Sequence, residues 1–282
     1  FFEGFTSYYD DLLLRRAGLI DDAAYCKLLT KTANQVLQAP GRHAQSVAQA
    51  SFDAWVRYYR PDENTPNSTI SYYTKGALVA LCLDLTLRGE GHATLDDVMR
   101  ALWQRCQGGP LREDDVAAVL AERGARSFAP ELAAWVHGTD ELPLQDLLAA
   151  HGIDIKQDPS PLAQALGLRV SEQRGITLKV VLAGSPAAAA GLAAGDEWLG
   201  LEVPVPAASG GHAKGRRAPT NAWRLSGLDD IPLFAGPVRE VTALIARDQR
   251  LLRLPLTLPE PATTWRLAPP KDQPAPSPWP GG

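Results

Sequence analysis

The sequence predicts an α+β protein, a mainly α-helical domain followed by a small β-rich one. Three observations carry that reading. Up to about residue 157, apolar residues recur at the three- and four-residue spacing of helix faces, with Gly, Pro and Asp at the breaks. After Pro159 the texture changes to short β-like runs parted by Gly and Pro. The charge changes at the same place: residues 1–158 carry 15 Lys and Arg against 22 Asp and Glu, and residues 159–282 carry 13 against 10.

In order, Phe5, Tyr8, Tyr9, Leu12 and Leu13 mark one face of a first helix, for which Gly18 supplies a left-handed stop. Asp21 and Asp22 start a second helix through Leu37, ended by Pro40-Gly41, and Ala44 to Tyr59 reads as a third. Arg60 to Thr69, with two prolines among Asn, Asp, Ser and Thr, reads as a loop. Ser71 to Leu87 is strongly apolar, stopped by Gly89, and therefore the buried helix of the group. Thr94 to Asp97 starts another, Arg112–Arg123 and Ala129–His137 add two, and Leu142–Ala150 is the last, with no strand before residue 153. The β-like runs are Leu166–Ser171, Ile176–Leu182, Glu197–Val203 and Leu251–Leu258, with a short helix at Pro186–Leu192 and a longer one at Pro237–Ala246. These elements divide the chain into a helical domain (1–157), a β-rich domain (158–260) with a Gly/Ala/Pro-rich flexible insertion near 204–221, and an extended Pro-rich tail (261–282).

At 282 residues the chain is long enough for two cores, and 45% hydrophobic with 21% charged residues excludes a disordered chain. Its longest unbroken apolar run, Ala77 to Leu83, is far short of the roughly 20 residues of a membrane span, so no membrane role is expected. An acidic helical part lacks the concentrated basic face that nucleic acid requires, and the Lys214, Arg216, Arg217 cluster reads as a solvated loop. Cys26, Cys82 and Cys106 form neither a disulfide framework nor a metal knuckle and suit a reducing, cytoplasmic compartment. The chain opens on Phe1-Phe2-Glu3-Gly4 without Met, which carries the expectation that a segment precedes it. None of the five histidines stands four residues from another, so the zinc motif H-E-x-x-H is not within this sequence; nor is a G-x-S-x-G elbow, a phosphate loop or a dinucleotide fingerprint. His137 and His151, each before a Gly, read as C-terminal helix caps.

Two stretches bear chemistry. Glu3 sits on the first turn of a helix, where a carboxylate also serves as a dipole partner. Ser71-Tyr72-Tyr73-Thr74-Lys75-Gly76 opens the most apolar helix, where a tyrosine also serves as core with its hydroxyl satisfied. Together with Phe2–Tyr9, Asp62-Glu63-Asn64-Thr65-Pro66-Asn67, the continuation to Leu81 and Gly138–Leu144, they resemble the glycyl aminopeptidase family of zinc metallopeptidases (gluzincins). That family ends in a PDZ domain, and Gly184-Ser185-Pro186-Ala187, Ala190-Gly191-Leu192 and Gly195-Asp196 resemble the PDZ signature. The resemblance covers roughly residues 1 to 265, in order.

The resemblance implies that the helical part is the C-terminal half of a thermolysin-like catalytic domain. It further implies that Glu3 is a zinc ligand, the downstream Glu that joins the two His of H-E-x-x-H. A catalytic zinc takes three protein ligands and keeps a fourth position for water. The tyrosine of the family's Tyr-x-Lys-Gly pattern, which donates to the tetrahedral oxyanion, falls on Tyr73, with Tyr72 its neighbour. The substrate implied is a peptide with a small N-terminal residue, Gly or Ala. With its His ligands elsewhere, the chain alone is expected to bind no catalytic zinc and to be inactive. In the PDZ-like part, Gly167, Leu168 and Arg169 match the loop that cradles a peptide's C-terminal carboxylate, with the Pro237–Ala246 helix as the other groove wall. The second reading is a non-catalytic PDZ peptide binder on a helical scaffold.

Overall fold

A computed structural model describes residues 1–205 and 219–269. In chain order it has helices α1 (Phe2–Arg16), α2 (Asp22–Leu37), a 3₁₀ turn (Pro40–His43), α3 (Val47–Phe52), α4 (Thr65–Ser68), α5 (Thr74–Gly89), α6 (Leu95–Cys106), α7 (Glu113–Gly124), α8 (Ala129–Leu132), a π turn (Ala133–His137) and α9 (Leu144–Ala150). Then come β1 (Asp154–Pro159), α10 (Leu162–Leu166), β2 (Leu168–Ser171), β3 (Ile176–Val181), α11 (Pro186–Ala189), β4 (Glu197–Pro204), β5 (Thr220–Arg224), α12 (Asp230–Ala235), β6 (Glu240–Arg247), β7 (Arg250–Thr257) and β8 (Thr263–Ala268). The fold is α+β. The described residues form two compact units, one of 1–61, 68–158 and 264–269, the other of 62–67, 159–205 and 219–263.

The first unit is organised around α5. From Ala77 to Leu85 every residue of this helix is buried, and all but Asp84 are apolar. Its one buried acid, Asp84, is fully satisfied: it accepts from the Tyr8 hydroxyl (2.8 Å), Arg88 Nε (2.9 Å) and the Leu95 amide (2.7 Å), joining α1, α5 and α6. Local signals set the helix starts. Asp21 accepts from the Ala24 amide ahead of α2, and Ser46 with Gln49, and Thr94 with Asp97, form capping boxes at α3 and α6. His151 bonds the Leu147 carbonyl at the end of α9 (2.9 Å), whereas His137 pairs with Glu113 of α7.

The second unit is an antiparallel sheet in the order β2-β3-β4-β6-β7, with β5 paired to β4, around a core of Leu178, Trp198, Leu201, Ala243 and Ile245. Arg247 reaches the fully buried Asp196 with two nitrogens (2.6 and 2.7 Å) and caps the Gly191 carbonyl (2.7 Å). No helix among the described residues is long and apolar enough to cross a membrane.

Several expectations are corrected. Pro237–Ala246 is not a helix: Val241, Ala243 and Ile245 alternate with less buried residues along β6, a period of two, and the helix of that region is the shorter α12. The β6–β7 turn, Asp248-Gln249, has φ of +49° and +63°, the mirror-image turn that suits a two-residue hairpin. Leu166 ends α10 instead of opening a strand, because Gly167 at φ +74° separates the two. The third helix stops at Phe52; Ala54 to Tyr59 run as turns, which leaves Phe52, Trp55 and Val56 exposed rather than on a core face. The 261–282 stretch is not all extended tail. Residues 263–268 form β8, paired with β1; Trp265 exchanges two hydrogen bonds with Asn34 of α2, and the Leu267 amide donates to Thr30 Oγ1. The insertion read at 204–221, with its Lys214, Arg216, Arg217 cluster, lies mostly outside the described residues, although Pro204 closes β4 and Thr220 and Asn221 open β5.

Candidate active site

The site is built where α1 crosses α5. The contact is glycine on glycine: a Cβ added to Gly4 would lie 2.7 Å from the Cα and carbonyl carbon of Gly76, and one added to Gly76 would lie 2.9 Å from the Gly4 Cα. Only glycines let two helix backbones approach so closely. Glu3 precedes one glycine and Tyr72-Tyr73-Thr74-Lys75 precede the other, so the crossing itself gathers the two stretches. Glu3 is exposed and lines a cavity of about 440 Å³ whose other walls include Phe5, Trp55, Tyr59, Tyr72 and Val79.

The tyrosines form a chain of hydroxyls. Tyr59 OH lies 2.9 Å from Tyr73 OH and 3.3 Å from Tyr72 OH, and its ring stacks beside Trp55 with centroids 4.9 Å apart. Hydrogen bonding with Tyr72 and Tyr73 holds the Tyr59 hydroxyl below the ordinary phenol value, while the bond with Tyr59 raises Tyr73 and burial raises Tyr72. The Glu3 carboxylate adds a small upward push on both Tyr59 and Tyr73. Tyr73 therefore keeps its proton at neutral pH and remains a donor. Tyr72 is buried on the cavity wall, and Tyr73 is partly exposed beside it.

Lys75 points elsewhere. It is 2% exposed, and its ammonium donates to the Arg42 carbonyl (3.3 Å), which ties the start of α5 to the 3₁₀ turn; burial lowers its pKa. Tyr59 and Trp55 belong to none of the motifs that mark the site in the sequence. The signal lies in the aromatics Trp55, Tyr58 and Tyr59, whose spacing of three and four residues reads as a helix face.

Among the described residues, no three His, Cys, Asp or Glu side chains gather as a metal-ligand set. Glu3 supplies one carboxylate, and the residues present do not by themselves fit a catalytic zinc, which takes three protein donors.

In the second unit, Gly167 takes φ +74°, and a Cβ there would lie 2.2 Å from the Ser185 Cβ. Its carbonyl accepts from the Leu182 amide (2.8 Å). Leu168 is buried in the core and pairs with Val181, Arg169 is exposed and pairs with Val180, and β2, which carries both, is the terminal strand of the sheet order.

Glu3, Tyr59 and Tyr72 thus line one cavity of an α+β chain. Residues 1–79 match the model of the M61 glycyl aminopeptidase family. The crystal structure of an aminopeptidase N family protein from Idiomarina loihiensis is 30% identical, with a TM-score of 0.77 over 96% of this chain and 46% of that one. The chain thus spans about half the length of that protein. No curated protein matches the chain. These findings bear out the similarity to part of a glycyl aminopeptidase family protein that was read from the motifs, and the PDZ part of that reading is not shown by them.

Proposed function

We propose that this chain provides the C-terminal part of a zinc aminopeptidase active site, in which Glu3 is one metal ligand and Tyr73 the oxyanion donor. The observation that supports the reading is the Gly4–Gly76 crossing, beside which Glu3 lines a cavity shared with Tyr59, whose hydroxyl lies 2.9 Å from that of Tyr73. Glu3, together with two His from outside this chain, would hold the zinc, whose chemistry there would be Lewis-acid activation of a water. The chain's own contribution is positional. Tyr73 presents a hydroxyl that keeps its proton, and a tetrahedral oxyanion accepts that hydrogen bond more strongly than the planar carbonyl does. Tyr59, at 2.9 Å, orients that hydroxyl. The substrate is a peptide with a small N-terminal residue, Gly or Ala. The chain alone, with one donor, is inactive.

The test is hydrolysis of Gly- and Ala-aminoacyl substrates by a polypeptide in which an H-E-x-x-H segment precedes this chain. Release of the N-terminal residue, lost with Glu3→Gln, supports the reading; a rate indifferent to Glu3→Gln rejects it.

A separate reading concerns β2. Its position at the end of the sheet order favours addition of a peptide strand there, next to Gly167, Leu168 and Arg169. A C-terminal peptide bound with a free carboxylate and released on its amidation would support this role.

A further inference from the structure

The Gly138–Leu144 stretch has no part in the chemistry above, yet it grips the Pro40–His43 turn. Its Glu141 accepts from Arg42 Nε (2.9 Å) and lies 3.3 Å from His43 Nε2. The turn touches the tyrosine-bearing stretch at two points, one on each side of Tyr72 and Tyr73. Before them, a Cβ added to Gly41 would run into the Thr69 carbonyl oxygen, so backbone lies directly on backbone there. After them, the Arg42 carbonyl accepts from Lys75 Nζ (3.3 Å). The same turn leads into the segment of Tyr59. The Gln45 amide donates to the Gly41 carbonyl (3.0 Å), Gln45 Nε2 to Asp53 Oδ2 (3.2 Å), and the Arg57 amide to the Asp53 carbonyl (2.9 Å). All of these residues belong to the first unit.

Lys75 is 2% exposed, and taking its charge out of water is costly. Asp140 and Glu141 favour that charge from a distance, and Arg42 opposes it. A methionine would fill the space of the stem without that cost, so packing alone does not call for a lysine here; a donor for the Arg42 carbonyl does. We infer that Lys75 is a positioning residue: seated on the Pro40–His43 turn, it fixes the first turn of α5 and with it where the Tyr73 hydroxyl stands against that of Tyr59, 2.9 Å away. The catalytic meaning of that placement rests on the proposed aminopeptidase reading; the placement itself does not.

The test uses the 282-residue chain, with Lys75→Met, which keeps the stem and removes the donor, and Glu141→Ala, which loosens the turn from its exposed side. Two readouts are taken: thermal melting, and the absorbance titration of the phenols, in which Tyr59→Phe identifies the Tyr59 signal by its loss. In Lys75→Met the Tyr59 midpoint shifts up toward the ordinary phenol value, because Tyr73 no longer holds that hydroxyl. Glu141→Ala shifts it the same way by less, and is read alone if the methionine variant does not fold. An unchanged Tyr59 midpoint in the folded variant, whatever happens to melting, overturns the inference: Lys75 is then structural only, and the aminopeptidase reading stands. Conversely, Tyr73→Phe without effect on hydrolysis removes that reading and leaves the placement standing.

Discussion

Gly4 and Gly76 meet backbone to backbone, with the Cα of Gly4 2.9 Å from where a Gly76 side chain would begin. In an exposed helix, replacing glycine by alanine stabilises by about 1 kcal/mol. Here the sign reverses, because the added methyl has only backbone to displace. Gly4→Ala and Gly76→Ala each lower stability by about 1–3 kcal/mol, as overpacking does, and thermal melting reads the loss. A gain in either variant would show that the helices are not packed this closely.

Asp84 predicts a second loss. Its carboxylate satisfies Tyr8, Arg88 and the Leu95 amide inside the core. Asp84→Ala strands all three, and urea unfolding should show a loss of about 3–5 kcal/mol, the range for breaking a buried charged pair by removing one partner. Tyr8→Phe removes one bond only and should cost about 1 kcal/mol.

The two adjacent tyrosines separate by chemistry. In a catalytically complete polypeptide, Tyr73→Phe should lower kcat by about two to three orders of magnitude, since one oxyanion donor is lost. Tyr72→Phe keeps the Tyr73 hydroxyl and should cost less. Steady-state kinetics of both variants checks this, and the reverse order would move the role to Tyr72.

Acid stability has one traceable contributor in Asp96. Burial opposes its charge, but the Arg16 guanidinium (2.9 and 3.1 Å) and the Tyr9 hydroxyl (2.8 Å) outweigh it and hold the pKa below the ordinary 3.8. A depressed folded pKa means that the carboxylate's contribution is fully present above 3.8 and is lost as pH falls through the lower folded value. Asp96→Asn should therefore melt lower than wild type at neutral pH and show a shallower decline on acidification below 3.8. Parallel melting curves through the acid limb would be the contradicting result.

How far the sequence was legible depended on how local the signal was. The α5 core helix, the Asp21 cap of α2 and the left-handed Gly18 are written in neighbouring residues, and their periodicity was readable. The Val238–Ala246 run mixes Ala, Leu and Glu with Val, Thr and Ile, so its helical propensity hid a period of two that only pairing with β4 and β7 decides. Strand β8 was hidden by the prolines around Trp265 and Leu267, whose partners Asn34 and Thr30 lie more than two hundred residues earlier. Glu3 and Tyr73 stood out through their motifs. Their shared neighbour Tyr59 did not, because its hydrogen bonds to Tyr72 and Tyr73 cross a loop and leave no periodic mark.

The most direct measurement is zinc content beside Gly- and Ala-aminoacyl hydrolysis, for the 282-residue chain and for the same chain preceded by an H-E-x-x-H segment, each with and without Glu3→Gln. The account predicts no zinc and no turnover for the chain alone, stoichiometric zinc and turnover for the longer polypeptide, and loss of both with Glu3→Gln. Undiminished zinc and turnover in the longer polypeptide carrying Glu3→Gln would contradict it.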